Sequence, residues 1–408
     1  MYANYVARNI KKLLKEVGPR ASGSEKEAEA QQWLANDLET SCDEVRTEEF
    51  KLAPSAFMAW VQVAVCAGVL GAALLFLTHF IPSLTLVFTC AAAVLLLVAV
   101  FFVITEFLFY KQALDVFMPK KVSHNVIAVR KPSGEVKRRI IFSGHADSAP
   151  EWRFTYWGGP KLVLPAIVLG LLSLVYITGV NIAAVIVTLR GSSVADSKVF
   201  WIMSIVAVCL VPIFLFELLF YNPRRTVDGA NDNLTGCLCS MALPRFMQDN
   251  DVRFENTEVM ILITGSEEAG LRGAKAFAKA HAKELEDVET VFVGLDTVRD
   301  YDFMGIYNKD MTGTVKNDAQ ASRLLKEGAV LAGFDLPYKT VTFGSSDAAA
   351  ITQGGMKATC FAAMDPAPAR YYHTRLDTAD NLDLKTIEVG VGIVLETAFL
   401  YDEKGLDF

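Results

Sequence analysis

Histidine is scarce in this chain, with five among 408 residues. Charged side chains make up 21%, and their balance is acidic, with a formal net charge of -7. No basic tract stands outside ordinary loops, which argues against a nucleic-acid partner. The seven cysteines form no disulfide framework: Cys66, Cys90 and Cys209 fall in apolar runs, and Cys42, Cys237, Cys239 and Cys360 are scattered. Cys237 and Cys239 make a C-x-C pair with no second pair, which argues against a structural zinc.

Apolar residues are abundant instead, at 52%, with 26 phenylalanines. They concentrate in Ala56 to Leu77, Leu84 to Phe109, Leu162 to Leu189 and Phe200 to Tyr221, where Glu106 and Glu217 are the sole charged side chains. Such lengths match the hydrocarbon thickness of a bilayer as helices, because an unpaired backbone in lipid leaves helix as the single-chain solution. The spacing predicts four transmembrane helices in two hairpins, residues 54–109 and 161–221, with turns at His79 to Ser83 and Arg190 to Lys198. A signal peptide is excluded, since a polar segment with its own globular pattern precedes the first run.

Paired spans return the chain to one side, so residues 1–53, 110–160 and 222–408 are expected to form one discontinuous domain. That side carries Lys51, Lys111, Lys120, Lys121, Lys161, Arg224 and Arg225 near span ends, against Arg190 and Lys198 opposite. The positive-inside tendency therefore predicts that this domain and both termini are cytoplasmic.

Two spans end alike, in Glu106-Phe-Leu-Phe-Tyr110 and Glu217-Leu-Leu-Phe-Tyr221. Helical spacing puts each glutamate one turn before its tyrosine on the same face, and tyrosine suits the interface. The glutamates either snorkel toward Lys or Arg or line a polar route between the hairpins. Pro165 and Pro212 would kink their helices under either reading.

The other pieces alternate strand and helix. Helices are expected around Ile10 to Val17, Glu25 to Thr40, Thr235 to Met247, Gly270 to Ala282 and Ala319 to Gly333, and strands at Val45 to Leu52, Asn125 to Arg130, Val136 to Phe142, Glu258 to Thr264, Thr290 to Leu295 and Lys357 to Ala362. This order predicts an α/β sandwich around a mostly parallel mixed sheet. Polar residues collect after the strands, where sites form in such sheets.

His79 sits in an apolar hairpin's turn, and His124 and His281 lack an acidic partner pattern. His145, in Ser143-Gly144-His145-Ala146-Asp147, and His373, near Asp377 and Asp380, differ. Each adjoins carboxylates at a strand end, which points to metal ligation. Asp232 lies in the small-residue loop Gly229-Ala230-Asn231-Asp232-Asn233, Glu267 and Glu268 follow Thr264-Gly265-Ser266, and Asp296 ends a strand. Adjacent carboxylates are costly without a compensating cation or a shared proton.

Together with Gly18-Pro19-Arg20, Gly23-Ser24, Gly236, Ala269-Gly270, Gly273 and Asn381, these segments resemble the M28 family of co-catalytic zinc aminopeptidases, in order and across the polar part of the chain. The resemblance implies two Zn2+ ions, with Co2+ or Mn2+ as substitutes. It implies His145 and Asp296 on one ion, Glu268 and His373 on the other, Asp232 bridging, and Glu267 as general base and then acid. Asp147 would orient the His145 ring. Asp347, Tyr371, Tyr372 and Asp380 would line the pocket or support the ligands, with Tyr371 or Tyr372 donating to the oxyanion. The peptide after the bridging aspartate is often cis in the family, which marks Asp232-Asn233. The family commonly has histidine after the aspartate of Ser345-Ser346-Asp347, where this chain has Ala348. Soluble relatives connect the counterparts of Asp147 and Asp232 briefly; here the second hairpin fills the interval, which would put the catalytic mouth near the membrane surface.

The function expected is removal of N-terminal residues from peptides. Alternatives are a metal-dependent amidohydrolase acting on an N-acylated or lipid-like amide, a glutaminyl-cyclase-like enzyme, which typically uses one zinc, and a non-catalytic membrane scaffold. The intact ligand set disfavours the last.

Overall fold

The computed structural model describes residues 1–407 and divides into two compact units. The first comprises Met1–Pro54, Pro119–Glu151 and Pro223–Phe408; the second comprises Ser55–Met118 and Trp152–Asn222.

The first unit is a mixed α/β fold. Its nine-stranded sheet contains β1 (Glu44–Leu52), β2 (Lys121–Arg130), β3 (Arg138–His145), β6 (Thr257–Thr264), β7 (Glu289–Val298), β8 (Met304–Asp310), β9 (Val315–Lys316), β10 (Tyr338–Thr340) and β11 (Lys357–Ala363). The order is β1-β2-β6-β3-β7-β11-β8-β10, with β9 on β8. β4 (Pro150–Trp152) and β5 (Tyr221–Thr226) pair separately. The four central strands β6, β3, β7 and β11 are parallel, and antiparallel partners flank them.

Side-chain alternation sends Ile140, Phe142, Val259, Ile261, Val291 and Val293 into one core with α1 (Tyr2–Glu16), α2 (Glu25–Leu38), α8 (Gly236–Asp249), α10 (Ala319–Leu331) and α12 (Leu384–Lys404). Ile127, Ile141, Met260, Leu262 and Phe292 face the other way and are also buried, on the side of α9 (Arg272–His281) and α11 (Asp347–Gln353). Strands covered on both faces read as continuous apolar runs. The short strands β8, β9 and β10 lacked that signal and were not expected.

The second unit contains α3 (Ala59–Leu77), α4 (Thr85–Phe102), α5 (Arg153–Gly158), α6 (Pro160–Leu189) and α7 (Lys198–Glu217). Four helical stretches are long and apolar enough to cross a membrane: Ala59–Leu77, Pro82–Leu108, Pro160–Leu189 and Lys198–Glu217. Small residues allow close packing. A Cβ on Gly68 would lie 2.6 Å from the Phe214 ring, and one on Gly71 would lie 2.7 Å from Leu96.

The expected Glu-Tyr helix face is not formed. The helix carrying Glu106 widens over Val103–Leu108, and Tyr110 has φ 49°. α7 ends at Glu217, and Tyr221 begins β5, with its hydroxyl 2.7 Å from the Gln62 amide. The tyrosines belong to the exit segments. Glu106 accepts the Leu114 backbone N–H at 2.6 Å, a local cap that sequence spacing did not suggest.

Candidate metal centre

The parallel strands deliver their C-terminal ends to one place. His145 closes β3, the loop carrying Glu267 and Glu268 follows β6, and Asp296 lies near the end of β7. His373 and Asp232 arrive on loops. Three interlocking groups have their ligand atoms within 4.8 Å of one another: His145 with Glu267 and Glu268, His145 with Asp232 and Asp296, and Asp232 with Glu268 and His373. His145 Nε2 stands 3.2 Å from Asp232 Oδ1, and His373 Nε2 stands 3.0 Å from Asp232 Oδ2 and 3.2 Å from Glu268 Oε1. The two oxygens of Asp232 thus serve different histidines.

The loop carrying Asp232 is built from small residues for steric reasons. Gly229 has φ 60°, and a Cβ there would come within 2.6 Å of Asp232 O and Ser148 Cβ. A Cβ on Gly236 would lie 2.3 Å from Leu295 O. The Asp232-Asn233 peptide is cis. Asn233 donates to Leu295 O at 2.8 Å and accepts from Gly236 N at 3.0 Å and Thr297 N at 3.2 Å. This ties the Asp232 loop to the end of β7, beside Asp296.

Asp147 accepts the backbone N–H groups of Glu267 at 2.9 Å and Glu268 at 3.1 Å and the Ser22 hydroxyl at 2.7 Å. Its Oδ1 lies 3.4 Å from His145 Nδ1. One carboxylate therefore aligns the tip of the Glu267-Glu268 loop and one imidazole. Ser266, Thr297 and His373 hold left-handed φ values of 54°, 49° and 53°, each costing roughly 1–3 kcal/mol that surrounding bonds must offset.

Several supports were not anticipated. Arg20 is fully buried and donates to the carbonyls of Ala146 (2.6 Å), Asp228 (2.6 Å) and Gly229 (3.0 Å), joining three segments. Glu27 accepts from Ser266 N at 2.6 Å and Ser123 Oγ at 2.8 Å, beneath the same loop. Its only sequence signal was an acidic residue in a helix. Asp377, also buried, accepts from Asn231 N at 2.8 Å, Asn231 Nδ2 at 2.7 Å and Asp232 N at 3.1 Å.

Asp380, expected beside the ligands, is exposed on the Ala379–Asn381 turn, and Asp377 has the buried position. Both lie in one acidic loop, and periodicity could not separate them. Tyr371 donates its hydroxyl to Asp300 at 2.8 Å under the Arg299 guanidinium, so that hydroxyl is engaged elsewhere. Tyr372 stacks on the His373 ring with centroids 3.9 Å apart. Asp347 is buried and accepts from Thr264 Oγ1. His281 has acidic partners after all, with Nε2 2.6 Å from Glu48 Oε2.

The site concentrates acid in a poorly solvated place. Burial, opposed by His145 and reinforced by Glu268, Asp347 and Asp296, pushes Glu267 well above its usual range. Burial and then Asp232 push Asp296 up to about 7, and burial raises Asp347 to about 6. Burial also raises Glu268. At Asp232 burial is outweighed by His145 and His373, which hold the carboxylate low. The same neighbours reverse the effect of burial on the imidazoles, lifting His373 to about 10 and His145 well above its ordinary value. Such a cluster calls for positive charge. Imidazole nitrogens and carboxylate oxygens within a few ångströms suit zinc or a similar divalent ion.

Comparisons with known proteins agree. The profile of Peptidase family M28 matches residues 216–398. No curated protein matches. Among solved structures, BSAP, a zinc aminopeptidase from Bacillus subtilis, aligns with TM-score 0.57 and 13% identity, covering 97% of this chain and 94% of that one. The aminopeptidase from Aneurinibacillus sp. strain AM-1 gives 0.55 and 15%, covering 96% and 93%. The glutaminyl cyclase of Bacteroides thetaiotaomicron bound to N-acetylhistamine gives 0.54 and 14%, covering 97% and 96%. Residues 216–398 belong to peptidase family M28, and the chain carries the fold of that family's zinc aminopeptidases.

Proposed function

We propose that this chain is a membrane-anchored dinuclear zinc aminopeptidase. The observation that carries the reading is the division of Asp232 between His145 and His373, with Asp296 on one side and Glu268 on the other. A carboxylate shared in this way bridges two ions; His145 and Asp296 complete one position, and Glu268 and His373 the other. Bound ions supply the Lewis acidity that makes water nucleophilic at neutral pH and polarises a carbonyl.

The chain's own groups do the rest. Glu267, 3.8 Å from His145 Nε2 and free of a role in the bridge, accepts the proton of the attacking water and returns it to the leaving amine. Its raised proton affinity suits both halves of that transfer. Asp147 keeps Glu267 and Glu268 in register through their backbone N–H groups. Asp377 and Asn233 fix the two ends of the Asp232 loop.

In this reading residues 1–53, 110–160 and 222–408 form the peptidase domain, and the apolar hairpins anchor it in a bilayer with the domain in the cytoplasm. The four apolar helices support the anchor by length and composition.

The test uses full-length protein loaded with two equivalents of zinc and three substrates: a peptide with a free N-terminus, its acetylated twin, and a peptide beginning with glutamine. Release of the first residue from the free form alone supports the proposal. Cleavage of the acetylated form sinks it in favour of an acyl-amide hydrolase, and ammonia release from the glutaminyl peptide without hydrolysis sinks it in favour of cyclisation.

A further inference from the structure

The two glutamates of the apolar helices look equivalent in sequence and are not equivalent in structure. Glu106 is fully buried and bonded to the Leu114 backbone. Oε1 of Glu217 is buried without a hydrogen-bond partner among the described residues.

Its surroundings keep a place for a ligand. Glu217 lines a cleft of about 410 Å³ with Leu162, Pro165, Leu169, Pro212 and Phe216 of α6 and α7, a volume in the range of small-molecule sites. The opposite helix approaches the carboxylate with glycine: a Cβ on Gly170 would lie 3.2 Å from Oε1. Pro165 and Pro212 have no N–H, so the adjacent backbone has fewer donors to offer. The cleft is therefore apolar apart from one carboxylate, which sits at the last residue of its helix. Lys161, exposed on the first turn of α6 beside Leu162, brings the opposite charge to that end. An intramembrane carboxylate without a protein partner is costly unless something answers it.

We infer that this cleft binds a phospholipid with a primary ammonium headgroup: its ammonium donates to Glu217, its phosphate meets Lys161, and an acyl chain lies along Leu162, Leu169 and Phe216. A trimethylated ammonium lacks the N–H donors, and a glycerol headgroup lacks the cation, so the site separates lipids by headgroup. The inference rests on the membrane reading of the apolar helices.

The experiment reconstitutes the full chain in nanodiscs of equal phosphatidylethanolamine, phosphatidylcholine and phosphatidylglycerol, then quantifies the lipids retained on transfer to detergent. Phosphatidylethanolamine is expected to be enriched about tenfold over phosphatidylcholine, the effect of one charge-assisted hydrogen bond. Glu217→Gln should bring the ratio near one. Gly170→Val, which keeps the carboxylate but narrows its space, should lower it in a protein that still hydrolyses soluble peptide at the wild-type rate. No enrichment in wild type, equal enrichment of phosphatidylglycerol, or an unchanged ratio in Glu217→Gln overturns the site. A chain that stays soluble without detergent and fails to enter nanodiscs removes the membrane reading and this inference together.

Discussion

Two regions of this molecule bury carboxylates, and they balance them differently. In the mixed-sheet unit the acids come as a crowd, yet most are answered: Asp147 by two backbone N–H groups and a hydroxyl, Asp377 by three N–H bonds, and Asp232 by two imidazoles. Glu267 and Asp296 keep a surplus of negative charge, which their elevated proton affinity reports. In the apolar helices there are two acids, one closed by backbone and one open. Where burial is unavoidable, the acids left over mark where a ligand is required, whether an ion, a proton or a lipid amine.

The largest effect should come from Glu267→Gln. Turnover is expected to fall about 10²–10⁴-fold, the usual contribution of a positioned proton acceptor, while zinc content measured by elemental analysis stays at the wild-type value. Near-wild-type turnover would remove Glu267 from the role of base. Asp232→Asn should lower metal affinity by more than the roughly 10–100-fold typical of a supporting residue, and activity should fall with it. Two ions held as tightly as in wild type would show that Asp232 does not bridge.

Asp377→Asn separates the ligands from their supports. It touches no ion in the proposed arrangement, but it weakens three bonds to the Asp232 loop. A loss of about 10–100-fold in metal affinity is expected, with turnover at saturating zinc restored to within an order of magnitude. Asp380→Asn, on the exposed turn, should change neither.

Removing the metal tests the surplus charge directly. In the metal-free protein Asp347 and Asp296 take up protons with values of about 6 and about 7, above the usual 3.8 of an unfolded aspartate. The native state then binds more protons than the unfolded one between those values, so stability declines as pH rises through about 6 to 7. Thermal unfolding after chelation should show a midpoint that falls by several degrees between pH 5 and pH 8, and zinc should flatten the curve. A metal-free midpoint that rises with pH over this range would mean that the cluster is not short of positive charge.

How much of this was legible in the sequence depended on the kind of signal. His145, Asp232, Glu267, Glu268, Asp296 and His373 stand out because ligand-type residues sit at strand ends among glycines, and the structure brings all six together. The parallel strands were visible as apolar runs because both of their faces are covered. The supports were harder to read. Arg20 acts through carbonyls from three separate segments, Glu27 reaches a loop far away in sequence, and Asp377 differs from Asp380 only in which way a short turn points. Long-range bonds leave no periodicity. The apolar helices gave the opposite difficulty. Glu106-Phe-Leu-Phe-Tyr110 and Glu217-Leu-Leu-Phe-Tyr221 repeat almost letter for letter, but the helices end before either tyrosine, so the shared pattern implied a shared face that does not exist.

The smallest effect expected is also the one that separates those two glutamates. Glu106→Leu keeps the volume and removes the acceptor of the Leu114 N–H, leaving a buried backbone donor unsatisfied at a cost of about 1–3 kcal/mol. Glu217→Leu removes a carboxylate whose Oε1 bonds to nothing, and replacing a poorly satisfied charge with apolar volume is neutral or stabilising. Thermal unfolding of the two variants in one detergent should therefore move in opposite directions or leave only Glu106→Leu displaced. Equal destabilisation would give Glu217 a structural partner and close the cleft to the role assigned to it. A destabilised Glu106→Leu beside an unaffected Glu217→Leu would show that the repeated glutamate serves the fold in one helix and is available for binding in the other.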